Sequence, residues 1–134
     1  MSQENVELVR SIYAAWERGD FSDDGWADPE IEFIRADTPE AGRWTGLSSM
    51  AAAFGEFMNA WENVRIQATR YRELDDERVL VLVEFNGRGK ASGVELGQVW
   101  TKGASLFQIR GGKVTKLIAY ANYERALADA GLSE

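Results

Sequence analysis

Seven polar side chains could carry chemistry if the fold brings them to one site: Tyr13, Arg35, Asp37, Glu95, Gln98, Ser105 and Tyr120. Asp37 and Glu95 are candidate general bases, Tyr13 a hydrogen-bond donor, and Arg35 a permanent cation able to hold negative charge. Arg35 and Asp37 share the parity of an extended strand, so they can meet one ligand or each other. The plain alternative for that pair is an exposed ion pair of little energetic weight. Tyr13 stands on an apolar helical face, where a core tyrosine with a satisfied hydroxyl is the competing reading. Glu95 and Gln98 belong to a long glycine-flanked stretch, where one bulge would exchange inward and outward positions.

The absences restrict mechanism further. The 134 residues contain neither histidine nor cysteine. That removes Ser-His-Asp and Cys-His arrangements, thiolate zinc sites and the commonest transition-metal ligand. Acid–base chemistry must then use Asp, Glu, Tyr, Lys or Arg, and neither a metal centre nor a cofactor is expected. A net charge of -7 argues against a nucleic-acid surface, which needs clustered Lys and Arg. Gly87-Arg88-Gly89-Lys90 invites a phosphate reading, but no helix start and no Walker pattern follow, so it reads as a strand kink with basic flanks.

The length suits one domain over 1–134, and 45% hydrophobic residues with mixed charge fit neither disorder nor a membrane span. The first residues, Met1 to Asn5, lack the basic start and apolar core of a signal peptide, so a cytoplasmic location is expected.

The elements that must position these side chains follow from periodicity. Val6, Val9, Tyr13 and Trp16, widened by Leu8, Ile12 and Ala15, predict an amphipathic helix over 3–18, with Ser2 as N-cap and Gly19 as its stop. Asp20 to Pro29 reads as turns around Phe21 and Trp26, closed at Asp28-Pro29. Ile31 to Arg35 alternates as a short strand, and Ala36 to Arg43 reads as a polar rim loop. Leu47, Met50, Phe54, Phe57, Met58 and Trp61 trace a second helix with an aromatic face.

Four strands of a meander follow, over 64–74, 79–86, 94–110 and 114–120, turning at Asp75 to Arg78, Gly87 to Gly89 and Gly111-Gly112. A bent sheet results, with Val81, Val83, Phe107, Leu117 and Ala119 inward, Ser105 as the polar exception, and Leu80, Leu82 and Ile118 outward. A last helix runs from about Asn122 to Ala130 and ends at Gly131-Leu132 in a Schellman cap.

Arg18-Gly19-Asp20 after the first helix, Trp26-Ala27-Asp28-Pro29, Trp44-Thr45-Gly46, the hairpin Arg110 to Val114 and the ending Tyr120 to Leu132 together resemble the SnoaL-like branch of the nuclear transport factor 2-like superfamily. The run Gly87 to Glu95 resembles an uncharacterised group within it. The resemblance implies an α+β cone: a curved, mostly antiparallel sheet wrapped around an N-terminal helix, a pocket between them, and a homodimer through the outer sheet face. Its members include ketosteroid isomerase, polyketide cyclases, limonene epoxide hydrolase, scytalone dehydratase and non-catalytic binders, so the fold does not choose a reaction.

The catalytic patterns of those relatives do not carry over residue by residue. The isomerase base falls at Ile34 or beside it, its tyrosine one position from Tyr13, and its second acid near Ser105. The cyclase acid–base position falls in Leu117-Ile118-Ala119, and the dehydratase pattern calls for histidine. The reading that follows is a binder of a small apolar or aromatic molecule, with Tyr13, Trp16, Arg35, Trp44, Phe54, Phe57, Gln98, Ser105 and Phe107 as ligand-binding candidates. Core filling is the competing account of the aromatic residues. Two alternatives stand beside it: an isomerase-like or cyclase-like enzyme using Tyr13, Asp37 and Glu95, and a non-catalytic dimerisation or partner-binding module.

Overall fold

The apolar positions of the first helix settle where the core lies. In the computed structural model, which describes residues 2–18, 20, 25–36, 42–59, 61–89 and 98–131, α1 (Ser2–Glu17) buries Val9, Ile12, Tyr13 and Trp16 on one face. That face meets the inner side of a sheet built from β1 (Ala27–Arg35), β2 (Gly42–Thr45), β3 (Trp61–Glu73), β4 (Arg78–Gly89), β5 (Gln98–Arg110) and β6 (Lys113–Tyr120). A second helix, α2 (Leu47–Asn59), closes the concave side near β1 and β2, and α3 (Tyr123–Asp129) follows the last strand.

The sheet is six-stranded, mixed, open and curved, in the order β2-β1-β6-β5-β4-β3. Antiparallel pairing runs through the meander β3 to β6, and β1 joins it by parallel pairing with β6. Alternation divides the strand residues between two clusters. Val79, Val81, Phe107, Ile109, Val114 and Leu117 face α1 and α2, with Val83 and Ala119 partly buried beside them. Leu80, Ala104 and Tyr120 face the other way and pack with Ala126 and Leu127 of α3.

The inward and outward assignments therefore hold, with two corrections. Leu80, expected as free outer surface, is fully enclosed, in the cluster that α3 forms on the outer face. Tyr120, counted among pocket residues, belongs to that cluster, and its hydroxyl lies 3.1 Å from Asp129 Oδ2.

Element boundaries differ in four places. The expected rim loop contributes β2, whose Gly42 to Thr45 pair with Arg35 to Glu32, so the loop gives way to an edge strand before Gly46. β1 begins at Ala27 and runs through Asp28-Pro29; the register of the β1–β6 pair shifts between Ala27 and Glu32, where a residue without an N–H is tolerated. Trp61 opens β3 rather than ending α2. Gly87 to Gly89 continue β4 rather than ending it: Gly87 pairs with Val99, Arg88 with both Glu62 and Gln98, and Gly89 with Trp61, while the β3–β4 register shifts opposite Gly87. The expected stop at Gly19, Phe21 and the Leu132 contact lie outside the described residues.

The turns are as their residues dictate. Asp75 Oδ1 accepts from the N–H groups of Glu77 and Arg78, at 2.9 Å each. Gly111 and Gly112 take φ of 60° and 78°, the pair of left-handed conformations that a two-residue hairpin requires. Asn122 caps α3 by accepting from Arg125 N–H, and Gly131 leaves it at φ 77°. Glu17, at the end of α1, accepts from Ala68 N–H at 3.1 Å, where the β3–β4 register shifts, and so fastens α1 to an edge strand.

Candidate functional site

β1 alternates Ile31, Phe33 and Arg35 toward the concave side because it is half covered by α2, and this carries a guanidinium into the interior. Arg35 is 7% exposed, the one buried charged residue among those described. Its Nη2 donates to the Ala53 carbonyl of α2 at 2.9 Å. Its guanidinium carbon lies 5.6 Å from the Phe33 ring centre and 5.1 Å from that of Trp44. Two ring faces and a carbonyl oxygen are all electron-rich, so they orient a cation. The expected exposed ion pair is corrected for Arg35: the residue is interior, and Asp37 lies outside the described residues.

Aromatic rings continue from there in one chain of contacts. Trp44 meets Phe33 at 5.6 Å, Phe33 meets Phe54 at 5.0 Å, Phe54 meets Trp16 at 5.8 Å and Trp16 meets Tyr13 at 4.9 Å. Tyr13 then contacts Phe107 at 5.9 Å. Four of these five contacts are edge-on, the arrangement that the ring quadrupole favours in a packed core.

Tyr13 descends from α1 onto β5 and is wholly enclosed, with the Ser105 hydroxyl as its hydrogen-bonding neighbour. Burial pushes its pKa well above the ordinary phenol value, Ser105 opposes this, and Tyr71 and Glu17 add to it. Tyr13 is therefore a neutral hydroxyl at any physiological pH. It can hold Ser105 in place, and it cannot act as a base.

Strand register lines up the floor of the site. Arg35 pairs with Ala119, Ala119 with Ser105, and Ser105 with Val81, so these four cross β1, β6, β5 and β4 in one inward-facing row. The next row holds Trp44, Phe33, Leu117, Phe107 and Val79. Closure is uneven within the rows: Leu117, Phe107, Val79 and Val81 are sealed, whereas Ala119, Ser105 and Val83 are partly exposed in the middle of the sheet. Trp44 and Phe54 likewise keep part of their rings exposed. One end of the concave face is thus sealed, and toward the other Val83, Ser105 and Ala119 are only partly covered.

Of the sequence candidates, the structure gathers Tyr13, Trp16, Arg35, Trp44, Phe54, Ser105 and Phe107 on this face. Tyr13 and Phe107 lie beneath its surface, so they support the floor. Asp37 and Glu95 lie outside the described residues, as do the side chains of Phe57 and Gln98. Phe33, Ala119 and Ala53 were not among the candidates. Phe33 carried a signal, because it shares the parity of Arg35 two residues away. Ala119 was expected to face inward but its type marked it only as a small residue, and the Ala53 carbonyl, a backbone group, carried no signal. Among the described residues no group of three Asp, Glu, His or Cys is placed to hold a metal ion.

Solved structures with the same architecture were found. A hypothetical protein from Catenulispora acidiphila with a ketosteroid isomerase-like fold, crystallised with trimethylamine, superposes with TM-score 0.70 at 18% identity over 95% of this chain and 94% of that one. A candidate SnoaL-like polyketide cyclase from Jannaschia superposes with TM-score 0.73 at 15% identity, covering 88% and 85%. TerC, co-crystallised with polyporic acid, gives TM-score 0.74 at 15% identity, covering 95% and 97%. At such identities the likeness establishes the fold, the α+β cone of the nuclear transport factor 2-like superfamily. No curated protein matches the sequence. Residues 9–117, which carry the buried face of α1 from Val9 onward, the whole aromatic chain, Arg35 and Ser105, match the family model described as the SnoaL-like domain, and the chain belongs to that family.

Proposed function

We propose that this protein binds a small apolar or aromatic molecule on the concave face of its sheet, between Trp44 and Phe54 on one side and the Ala119–Ser105 floor on the other. The observation that carries the reading is the uneven closure of that face. Val83, Ser105 and Ala119 stay partly exposed while their neighbours Val79, Val81, Phe107 and Leu117 are sealed. A core designed only for stability would fill such a space, since each unfilled methyl-sized gap costs on the order of 1 kcal/mol. The small molecules crystallised with the Catenulispora protein and with TerC support the same use of the fold.

Binding without an assigned reaction is the better-supported form of this reading, because burial keeps Tyr13 neutral and out of reach of a substrate. Thermal-shift screening with aromatic polyketides, steroids and fatty acids, read together with tryptophan fluorescence, tests it. At a ligand concentration about 100-fold above Kd the native state gains about 2.7 kcal/mol, which moves the midpoint by several degrees. Absence of any shift and any fluorescence change across the panel overturns the proposal. A homodimer through the convex face belongs to the same proposal, supported by the partly exposed Leu82, Leu106 and Ile118.

A further inference from the structure

We propose that Ser105 donates its O–H to a carbonyl oxygen of the ligand, and that Tyr13, beneath it, is the positioning residue that turns the hydroxyl that way. This rests on the binding reading above and names the chemistry of the ligand: a flat apolar body bearing a hydrogen-bond acceptor that is not itself a donor. Burial is the first argument. Tyr13 is wholly enclosed, so its hydroxyl is shut away from water and must be satisfied inside the protein. Ser105 is the group that meets it. Ser105 is itself partly exposed, and it faces inward between Ala119 and Val81 on the neighbouring strands. Among the described residues its side chain makes no other hydrogen bond.

The direction of that bond is the second argument. Two hydroxyls that share one hydrogen bond hold two protons, and only one of these lies between the oxygens. A phenol is a far stronger acid than an aliphatic alcohol, so Tyr13 is the better donor and the Ser105 oxygen the better acceptor. Burial keeps the phenol protonated, so this donor is present at every physiological pH. The proton of Ser105 is then left for another partner, and a hydroxyl that accepts one hydrogen bond donates the next more strongly. Its partly exposed neighbours on the same face are Ala119 and Val83, which offer no acceptor of their own. A ligand hydroxyl placed there would bring a proton with no partner among those side chains, whereas a carbonyl oxygen brings none. Trp44 and Phe54 supply partly exposed ring surface against which the flat body stacks.

Calorimetric titration of the full chain with acetylnaphthalene and with isopropenylnaphthalene, the same shape with a methylene group in place of the carbonyl oxygen, tests the assignment. The ketone is expected to bind about fivefold more tightly, the ratio that one neutral hydrogen bond supplies. Ser105→Ala should bring the ratio to one, and Tyr13→Phe should lower it. Taking the ratio within each variant cancels any general loss of packing. The infrared carbonyl stretch of the bound ketone gives a second readout that a merely structural role would not move. It should fall to lower frequency in the wild type, fall less in Tyr13→Phe and stay unshifted in Ser105→Ala. If a variant does not fold, the wild-type ratio and stretch carry the test. A wild-type ratio near one with an unshifted stretch overturns the hydrogen bond, while binding of both probes leaves the small-molecule site standing. An unchanged ratio and stretch in Tyr13→Phe overturn the positioning role. No binding of either probe overturns this proposal, and the wider ligand panel decides the binding reading separately.

Discussion

Tyr13 shows how one side chain can be legible in type and not in role. Its position on the apolar face of α1 is plain in the sequence, and the structure makes it a core residue whose hydroxyl meets Ser105. Tyr13→Phe keeps the ring contacts with Trp16 and Phe107 and removes only that hydroxyl. The expected cost is about 0.5–1.5 kcal/mol, measured by urea denaturation. The pH dependence has a definite sign. Tyr13 is raised in the native state above its unfolded value near 10, so above that pH the native state binds the proton that the unfolded state has lost. This contribution is fully present below pH ~10 and is lost as pH rises toward the native pKa. Denaturation midpoints followed from about pH 9 to 11 should therefore fall, and less steeply in Tyr13→Phe. Tyr71, raised first by burial and then by Glu17, supplies part of the slope that remains.

Strands and helices were legible wherever one face is buried and the other is not. α1 follows from its period, α3 from its period and its Asn122 cap, and the meander from alternation and its turn residues. β2 was not legible, because Gly42 to Thr45 are only four residues, opened by a glycine and flanked by turn residues, and are held by pairing with Glu32 to Arg35. For the same reason the interior setting of Arg35 escaped the sequence: an arginine ending a short strand next to a polar loop reads as exposed until α2 is laid over it.

Gly103 is a positional requirement of another kind. A Cβ there would stand 2.4 Å from the carbonyl oxygen of Tyr120, so β5 admits no side chain where the end of β6 comes closest. Gly103→Ala must push that backbone away, at an expected cost of about 1–3 kcal/mol. Urea denaturation measures it, and an unchanged midpoint would show that β6 yields freely.

Charge is unevenly distributed over the whole molecule. Although the chain carries -7, its convex sheet face presents Arg65, Arg70, Arg72, Lys102 and Lys116, none with an ion-pair partner among the described residues. Described carboxylates on that face include Glu84 and Glu30, and Glu32, which lies 3.5 Å from Arg43, while α3 over it adds Glu124, Arg125 and Asp129. Two copies meeting through it would bring surfaces with an excess of positive charge together. Self-association by that route should therefore strengthen as salt screens the repulsion, over a Debye length that shrinks from about 30 Å at 0.01 M to about 8 Å at 0.15 M. Sedimentation velocity at the two salt levels checks this, and a dimer that weakens with salt would point to a different face.

The parallel pairing of β1 with β6 also governs when the site can exist. Antiparallel neighbours find each other as the chain emerges from the ribosome, but β1 must wait, unsatisfied on one edge, until β6 has been made. Arg35 comes from the waiting strand and Ala119 from the one that completes it. Their row therefore cannot close before β6 is in place, so the proposed site is assembled only after the meander.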